Sequence, residues 1–275
     1  MSASAMSLWS DESTHALAAD DYPIANRTVV EAALPYADTV FVCFDIEWLD
    51  EDLPDTADCE AVWTDVREEF EPLGEDRWDR DSPQFRAPLP DASGTVERLA
   101  SLVDGIFGNH FLFRLALQRG GESIYFAVPH HDWTHIGVNW VGGEEFRSNV
   151  SDALAPLWAC LVPDEIRIEW TKDGRQYRVE TDSICVSTID GSSTTCYGFH
   201  SVAGVTVEEN GRRVSFREPD RNDSAGFAKR LLTSLYDRVV SPPDAFEFDD
   251  PATGREFARI VRETLAAYQP ASGAE

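Results

Sequence analysis

The clearest pattern along the chain is a change of hydrophobic period near Pro163. Before it, helical stripes dominate. Val62, Trp63, Val66 and Phe70 recur at the spacing that lines up apolar side chains on one face of a helix. Val96, Leu99, Val103, Ile106 and Phe107 repeat that spacing, as do Phe146, Val150, Leu154, Leu157, Trp158 and Leu161. Pro156 falls inside this last stripe, so its helix is expected to kink or to begin later. Apolar runs between the stripes read as strands. Val40–Phe44 predicts a buried strand, and Ile136–Val141 a further one. Leu115 and Leu117 lead through Gly120-Gly121 into Ile124 and Phe126, a hairpin pattern. Residues 82–94, with Pro83, Pro88, Pro90 and Gly94, read as a loop.

After Pro163 the period falls to two. Ile166, Ile168 and Trp170 alternate, Asp173-Gly174 turns the chain, and Tyr177 and Val179 return. Ile184, Val186 and Ile189 follow. Val205 and Val207 then run into Asn210-Gly211, with Val214 and Phe216 beyond it. Asp-Gly and Asn-Gly accept the positive φ angles of tight hairpin turns. Two helices are expected to close the chain. One, near 224–239, would bury Phe227, Leu231, Leu235 and Val239. The other has Asp250 as N-cap and Pro251 in its first turn, and buries Phe257, Ile260, Val261 and Leu265. The pattern predicts an α+β fold, with antiparallel sheets and amphipathic helices packed on one face. It also predicts two regions: an α+β domain over 26–163 and an antiparallel sheet domain over 164–270, preceded by a flexible acidic tail over 1–25.

Charge changes the picture more than length does. The 275 residues carry 23 basic and 50 acidic side chains, a formal charge of −27, and all but two of the basic residues, Lys172 and Lys229, are arginines. Acidic excess with almost no lysine resembles the proteins of organisms that keep concentrated salt inside the cell. Hydrated carboxylates keep such a surface soluble in brine, and at ~1 M salt the screening length shrinks to about 3 Å, so self-repulsion is suppressed. The segment Asp45–Asp81 holds sixteen acids and three arginines. It reads as a solvated outer face rather than a docking surface for a cation. Nucleic acid needs a basic stripe, which this composition does not offer.

Cys43, Cys59, Cys160, Cys185 and Cys196 are odd in number and include no C-x-x-C, so free thiols in a reducing cytoplasm are expected. No apolar run approaches the ~20 residues of a membrane span, so no membrane partner is expected.

One cluster suggests chemistry. Pro129-His130-His131-Asp132-Trp133-Thr134-His135 brings imidazole and carboxylate together, the donor set a divalent metal requires. His130-x-Asp132, with His200 downstream and Arg212 beyond it, resembles the two-histidine-one-carboxylate iron oxygenases that use 2-oxoglutarate. That resemblance implies iron held by His130, Asp132 and His200, with Arg212 on the cosubstrate. No G-x-S-x-G or phosphate loop is present, and Gly191–Thr195 reads as a flexible turn. The pieces Tyr177–Ser187, Ser201–Glu208, Arg213–Arg217 and the helix Asp250–Tyr268 resemble a pleckstrin-homology-like barrel, a superfold whose modules bind lipid heads, peptides or proteins. With no basic pocket for a phosphoinositide, that likeness implies a protein partner. The leading expectation is thus a non-catalytic protein-interaction module without a cofactor, and the alternative is the metal-dependent enzyme.

Overall fold

The computed structural model describes residues 13–50, 55–75, 82–105, 107–181, 183–199, 202, 204–217 and 243–268. The chain divides into two compact units, with the division between Pro163 and Asp164.

The first unit is built on one antiparallel sheet. Its strands are β1 (His15–Ala19), β2 (Thr39–Phe44), β3 (Glu71–Glu75), β4 (Pro83–Pro88), β5 (Leu112–Arg119), β6 (Glu122–Val128), β7 (Trp133–Ile136) and β8 (Ala159–Pro163), in the order β3-β4-β2-β5-β6-β7-β1-β8. The helices are α1 (Tyr22–Ala33), α2 (Thr56–Glu69), α3 (Ser93–Leu102), the single turn α4 (Gly108–Phe111) and α5 (Gly143–Leu154). The apolar stripes of the four long helices share one core with alternate residues of the strands, among them Val40, Val42, Phe44, Leu115 and Leu117. Burying side chains of this size supplies about 1.5–3 kcal/mol each and is what holds the layers together.

Several expectations fail here for local reasons. Residues 15–25 are not a tail: β1 pairs with both β7 and β8, and Asp21 accepts from the Ile24 N–H to start α1. The 82–94 stretch is not all loop. Pro83 and Pro88 stand at the two ends of β4, and between them Phe85 and Ala87 are buried. The stripe through Val96 breaks after Leu102 because Asp55 crosses there. A Cβ on Gly105 would lie 2.2 Å from Asp55 Oδ2, and Phe107 is not part of α3. The α5 stripe neither kinks nor starts late. It stops at Leu154, since Pro156 has no N–H to continue the ladder, and the chain enters β8. The strand expected from Ile136 onward instead ends there.

The second unit contains two antiparallel sheets. Strands β9 (Ile166–Lys172), β10 (Arg175–Glu180), β11 (Ser183–Thr188) and β12 (Thr194–Gly198) form a meander in the order β12-β11-β10-β9. Strands β13 (Gly204–Val207), β14 (Arg213–Arg217) and β15 (Ala245–Glu247) form the other, and α6 (Pro251–Tyr268) follows. Asp250 accepts from the N–H groups of Ala252 and Thr253, both at 3.1 Å, which is the cap the sequence announces. Trp170 stacks on Tyr177 at 5.1 Å between ring centres. Phe246, Phe248 and Phe257 close around Trp170. Helix α6 sits directly on the β13–β14 turn: Gly211 has φ +70°, and a Cβ on Gly254 would lie 2.2 Å from its carbonyl oxygen. The helix expected near 224–239 lies outside the described residues.

The free-thiol expectation is corrected in this unit. Cys185 and Cys196 stand directly opposite each other on β11 and β12 and form a disulfide, with Cα atoms 4.0 Å apart. Cys43, Cys59 and Cys160 stand outside that disulfide. Among the described residues, no helix is long and apolar enough to cross a membrane.

Candidate functional site

The histidine cluster forms where β5 begins and β6 ends. His110 lies on α4, and the N-terminus of that turn is held by a distant side chain. Asp55 Oδ2 accepts from the N–H groups of Phe107 and Gly108, both at 3.0 Å. Residue 108 has to be glycine, because a Cβ there would meet the Leu102 carbonyl oxygen at 2.1 Å. His130 and His131 follow β6 in the short 3-10 turn Pro129–His131. Asp132 ends that turn at φ 54°, ψ 34°, a left-handed conformation aspartate tolerates better than most residues. β7 then starts with Trp133, which is 58 % exposed.

The side chains make a continuous ladder of rings. The Arg114 guanidinium lies 4.7 Å over Phe113, and Phe113 stacks on His130 at 4.8 Å with the rings 14° from parallel. His131 is 4.1 Å from His130, Trp133 is 5.1 Å from His131, and His110 flanks His130 at 6.1 Å. Burial, followed by the positive charge of His131, His110 and Arg114, pushes the His130 pKa down to about 4. At neutral pH its imidazole is therefore uncharged. Its Nδ1 is buried and has no hydrogen-bond partner.

A buried polar network fixes β7 under this patch. Asn26 on α1 is fully buried, and its Oδ1 accepts from the Tyr125 hydroxyl at 2.7 Å and the Thr134 hydroxyl at 2.6 Å. The Tyr22 hydroxyl donates to the Trp133 carbonyl at 3.1 Å and lies 2.8 Å from Thr134 Oγ1. Burial pushes the Tyr22 and Tyr125 phenols well above their usual pKa, so both stay protonated donors. One helix thus pins the backbone of the exposed tryptophan through its interior face.

The sequence-derived metal residues are distributed as follows. His130 and Asp132 are neighbours in the first unit. Arg212 is exposed in the β13–β14 turn of the second unit, where its N–H donates to Asn210 Oδ1 at 2.7 Å. His200 lies outside the described residues. Among the described residues, three ligand atoms come within 4.8 Å of one another at Glu180, Cys185 and Cys196, and two of those are disulfide sulfurs with no thiolate to offer. His110, on α4, and Phe113 and Arg114, on β5, went unnoticed in the sequence because the fold brings them to the cluster, not proximity along the chain. The disulfide did have a signal: Cys185 and Cys196 are equidistant from the Asp190-Gly191 turn.

What the patch offers is a cluster of tilted rings, a neutral His130, and a solvent-facing indole on a rigid strand. Aromatic and arginine side chains in such settings dominate contact energetics. The chain matches no protein-family model, no curated protein and no solved structure.

Proposed function

We propose that this chain is a non-catalytic protein-interaction module adapted to concentrated salt, and that the ring patch around Trp133 is its contact surface. The observation that carries the reading is an indole 58 % exposed on a strand whose backbone is fixed by a buried network. Exposed tryptophan on a rigid support binds without first paying an ordering cost. The surroundings also fit a salt-rich solvent, where contacts between rings survive while those between surface charges are screened. The succession of four strands, three strands and a C-terminal helix in the second unit supports the pleckstrin-homology-like reading, and with it protein binding.

The test is cross-linking in potassium chloride of several molar with the wild type and a Trp133→Ala variant. The expectation is a defined cross-linked partner lost in the variant while the variant's melting is unchanged. Identical cross-linking by both proteins removes the patch from the account.

One observation favours the second reading, a divalent metal such as iron held by His130 and Asp132 in the first unit. It is the buried Nδ1 of His130 without a hydrogen bond. Metal analysis of protein purified without chelator decides it. Stoichiometric metal lost in a His130→Ala variant supports that reading, and substoichiometric iron, zinc and manganese exclude it.

A further inference from the structure

Along β10, β11 and β12 of the second unit, side chains alternate between two faces of the sheet. Val179 and Ile184 lie in the core that α6 shares. Arg178, Glu180 and Cys185 therefore stand on the opposite face, and Cys196, joined to Cys185, stands there with them. A Glu180 carboxylate oxygen and the sulfurs of Cys185 and Cys196 all lie within 4.8 Å of one another. Cys185 is buried, Cys196 is exposed and Glu180 is half-buried. Arg178, directly opposite Cys185 on β10, places its Nε 3.3 Å from Glu180 Oε1.

Strand pairing, not the disulfide alone, keeps these groups together. β11 pairs with β12 from Ser183–Gly198 to Ser187–Thr194, and with β10 from Glu180–Ser183 to Arg175–Thr188. Thr188 N–H donates to Ser193 C=O, so alternation makes Cys185–Cys196 a non-hydrogen-bonded pair, the kind whose side chains stand closest. Once reduced, the two sulfurs remain side by side on a paired sheet. Two thiolates on one tetrahedral ion, with metal–sulfur bonds of about 2.3 Å, sit about 3.8 Å apart. Directly opposed Cβ atoms about 4.5–5.5 Å apart allow that separation.

We propose that reduction of Cys185–Cys196 uncovers a metal site, in which the two thiolates and the Glu180 carboxylate hold a thiophilic divalent cation such as zinc. The reductant is a dithiol. Its first thiolate attacks the exposed Cys196 sulfur, the bond to Cys185 breaks, and Cys185 leaves with the electron pair. The second thiol of the reductant then displaces Cys196, and the reductant departs as a disulfide. The cation takes both cysteines as thiolates, and their protons go to solvent. Water fills the fourth position of the tetrahedron. Three anionic ligands on a doubly charged ion leave one negative charge. Arg178 balances it and orients the Glu180 carboxylate from outside the ligand set. The sulfur ligands select the cation, since hard ions such as potassium and magnesium prefer oxygen, and concentrated salt does not fill the site.

Cobalt(II), a spectroscopic substitute for zinc, tests this in several-molar potassium chloride. The full chain is reduced with dithiothreitol, desalted under argon and titrated with the metal. The reduced wild type is expected to bind one cobalt per chain with thiolate-to-cobalt charge-transfer absorption, and to lose that absorption when zinc is added. The oxidised wild type is expected to show none. Cys196→Ser and Glu180→Gln, both away from the core, are expected to weaken binding by about tenfold or more with unchanged circular dichroism. Either alone suffices if the other fails to fold. His130→Ala is expected to bind as the wild type does, which separates this site from the histidine cluster. A reduced wild type without the absorption overturns the proposal, as does equal absorption in the oxidised protein. So does a folded Cys196→Ser or Glu180→Gln variant that binds with wild-type affinity, or a His130→Ala variant that loses the absorption.

Discussion

Replacing Asn26 with alanine is the most informative single change for the framework under the ring patch. Its side-chain oxygen accepts two hydroxyl hydrogen bonds, from Tyr125 at 2.7 Å and Thr134 at 2.6 Å, and all three side chains are buried. Alanine leaves two buried donors without that acceptor. Each unsatisfied group costs about 1–3 kcal/mol, so the gross loss is about 2–6 kcal/mol. Two effects reduce it. The Asn26 Nδ2 is itself buried without a partner, so removing it relieves about 1–3 kcal/mol. Thr134 can also turn its hydroxyl to Tyr22, which lies 2.8 Å away. The net expectation is about 1–2 kcal/mol, still a sizeable share of the ~5–15 kcal/mol that holds a typical domain. Because the chain has two units, a single global transition is a poor readout. Native-state hydrogen exchange, followed by mass spectrometry on peptides covering β6 and β7, reads the local free energy directly. Adding Tyr125→Phe to the variant should cost less than the sum of the two changes, since the orphaned phenol goes with it. An Asn26→Ala loss below about 0.5 kcal/mol would refute the reasoning, because a buried acceptor of two hydroxyls cannot be removed so cheaply.

Other outcomes follow from the same structure. His130 has a folded pKa of about 4 against an ordinary value of 6.5, so the unfolded chain takes up the proton first as pH falls. Its contribution is complete above pH 6.5 and is lost between there and about pH 4, and a His130→Phe variant should flatten that part of the pH–stability curve. In denaturant without reductant, three thiols should react with a chromogenic reagent, rising to five after reduction. Cys59, whose pKa burial and the neighbouring Asp55 and Asp58 carboxylates push up to about 11, should stay unreactive in the native protein near neutral pH. Gly254→Ala should destabilise the second unit by about 1–3 kcal/mol in denaturant titration, because its Cβ has to displace the Gly211 carbonyl.

The sequence disclosed most where one physical signal acted alone. Asp173-Gly174 and Asn210-Gly211 formed turns as expected, with Asp173, Gly174 and Gly211 at positive φ, and Asp250 capped α6. Periodicity found α2, α3, α5 and α6 but not α1, and it misjudged two ends: α3 stops where Asp55 reaches across to α4, and α5 stops before Pro156. Composition hid β1, because its residues His15–Ala19 carry no strong β-branched signal and gain their place from pairing with β7 and β8. The candidate site was half legible. His130, His131 and Asp132 are contiguous, whereas the Phe113 and Arg114 that complete the ladder arrive through sheet pairing. The odd cysteine count obscured a disulfide that hairpin symmetry specifies.

The account rests on the carboxylates answering to salt rather than to a binding target. The melting temperature measured in dilute buffer and in potassium chloride of several molar tests this most directly. Screening of the −27 charge should raise it steeply with salt. Equal melting in both solvents would contradict the account and return the acidic segment Asp45–Asp81 to consideration as a binding face.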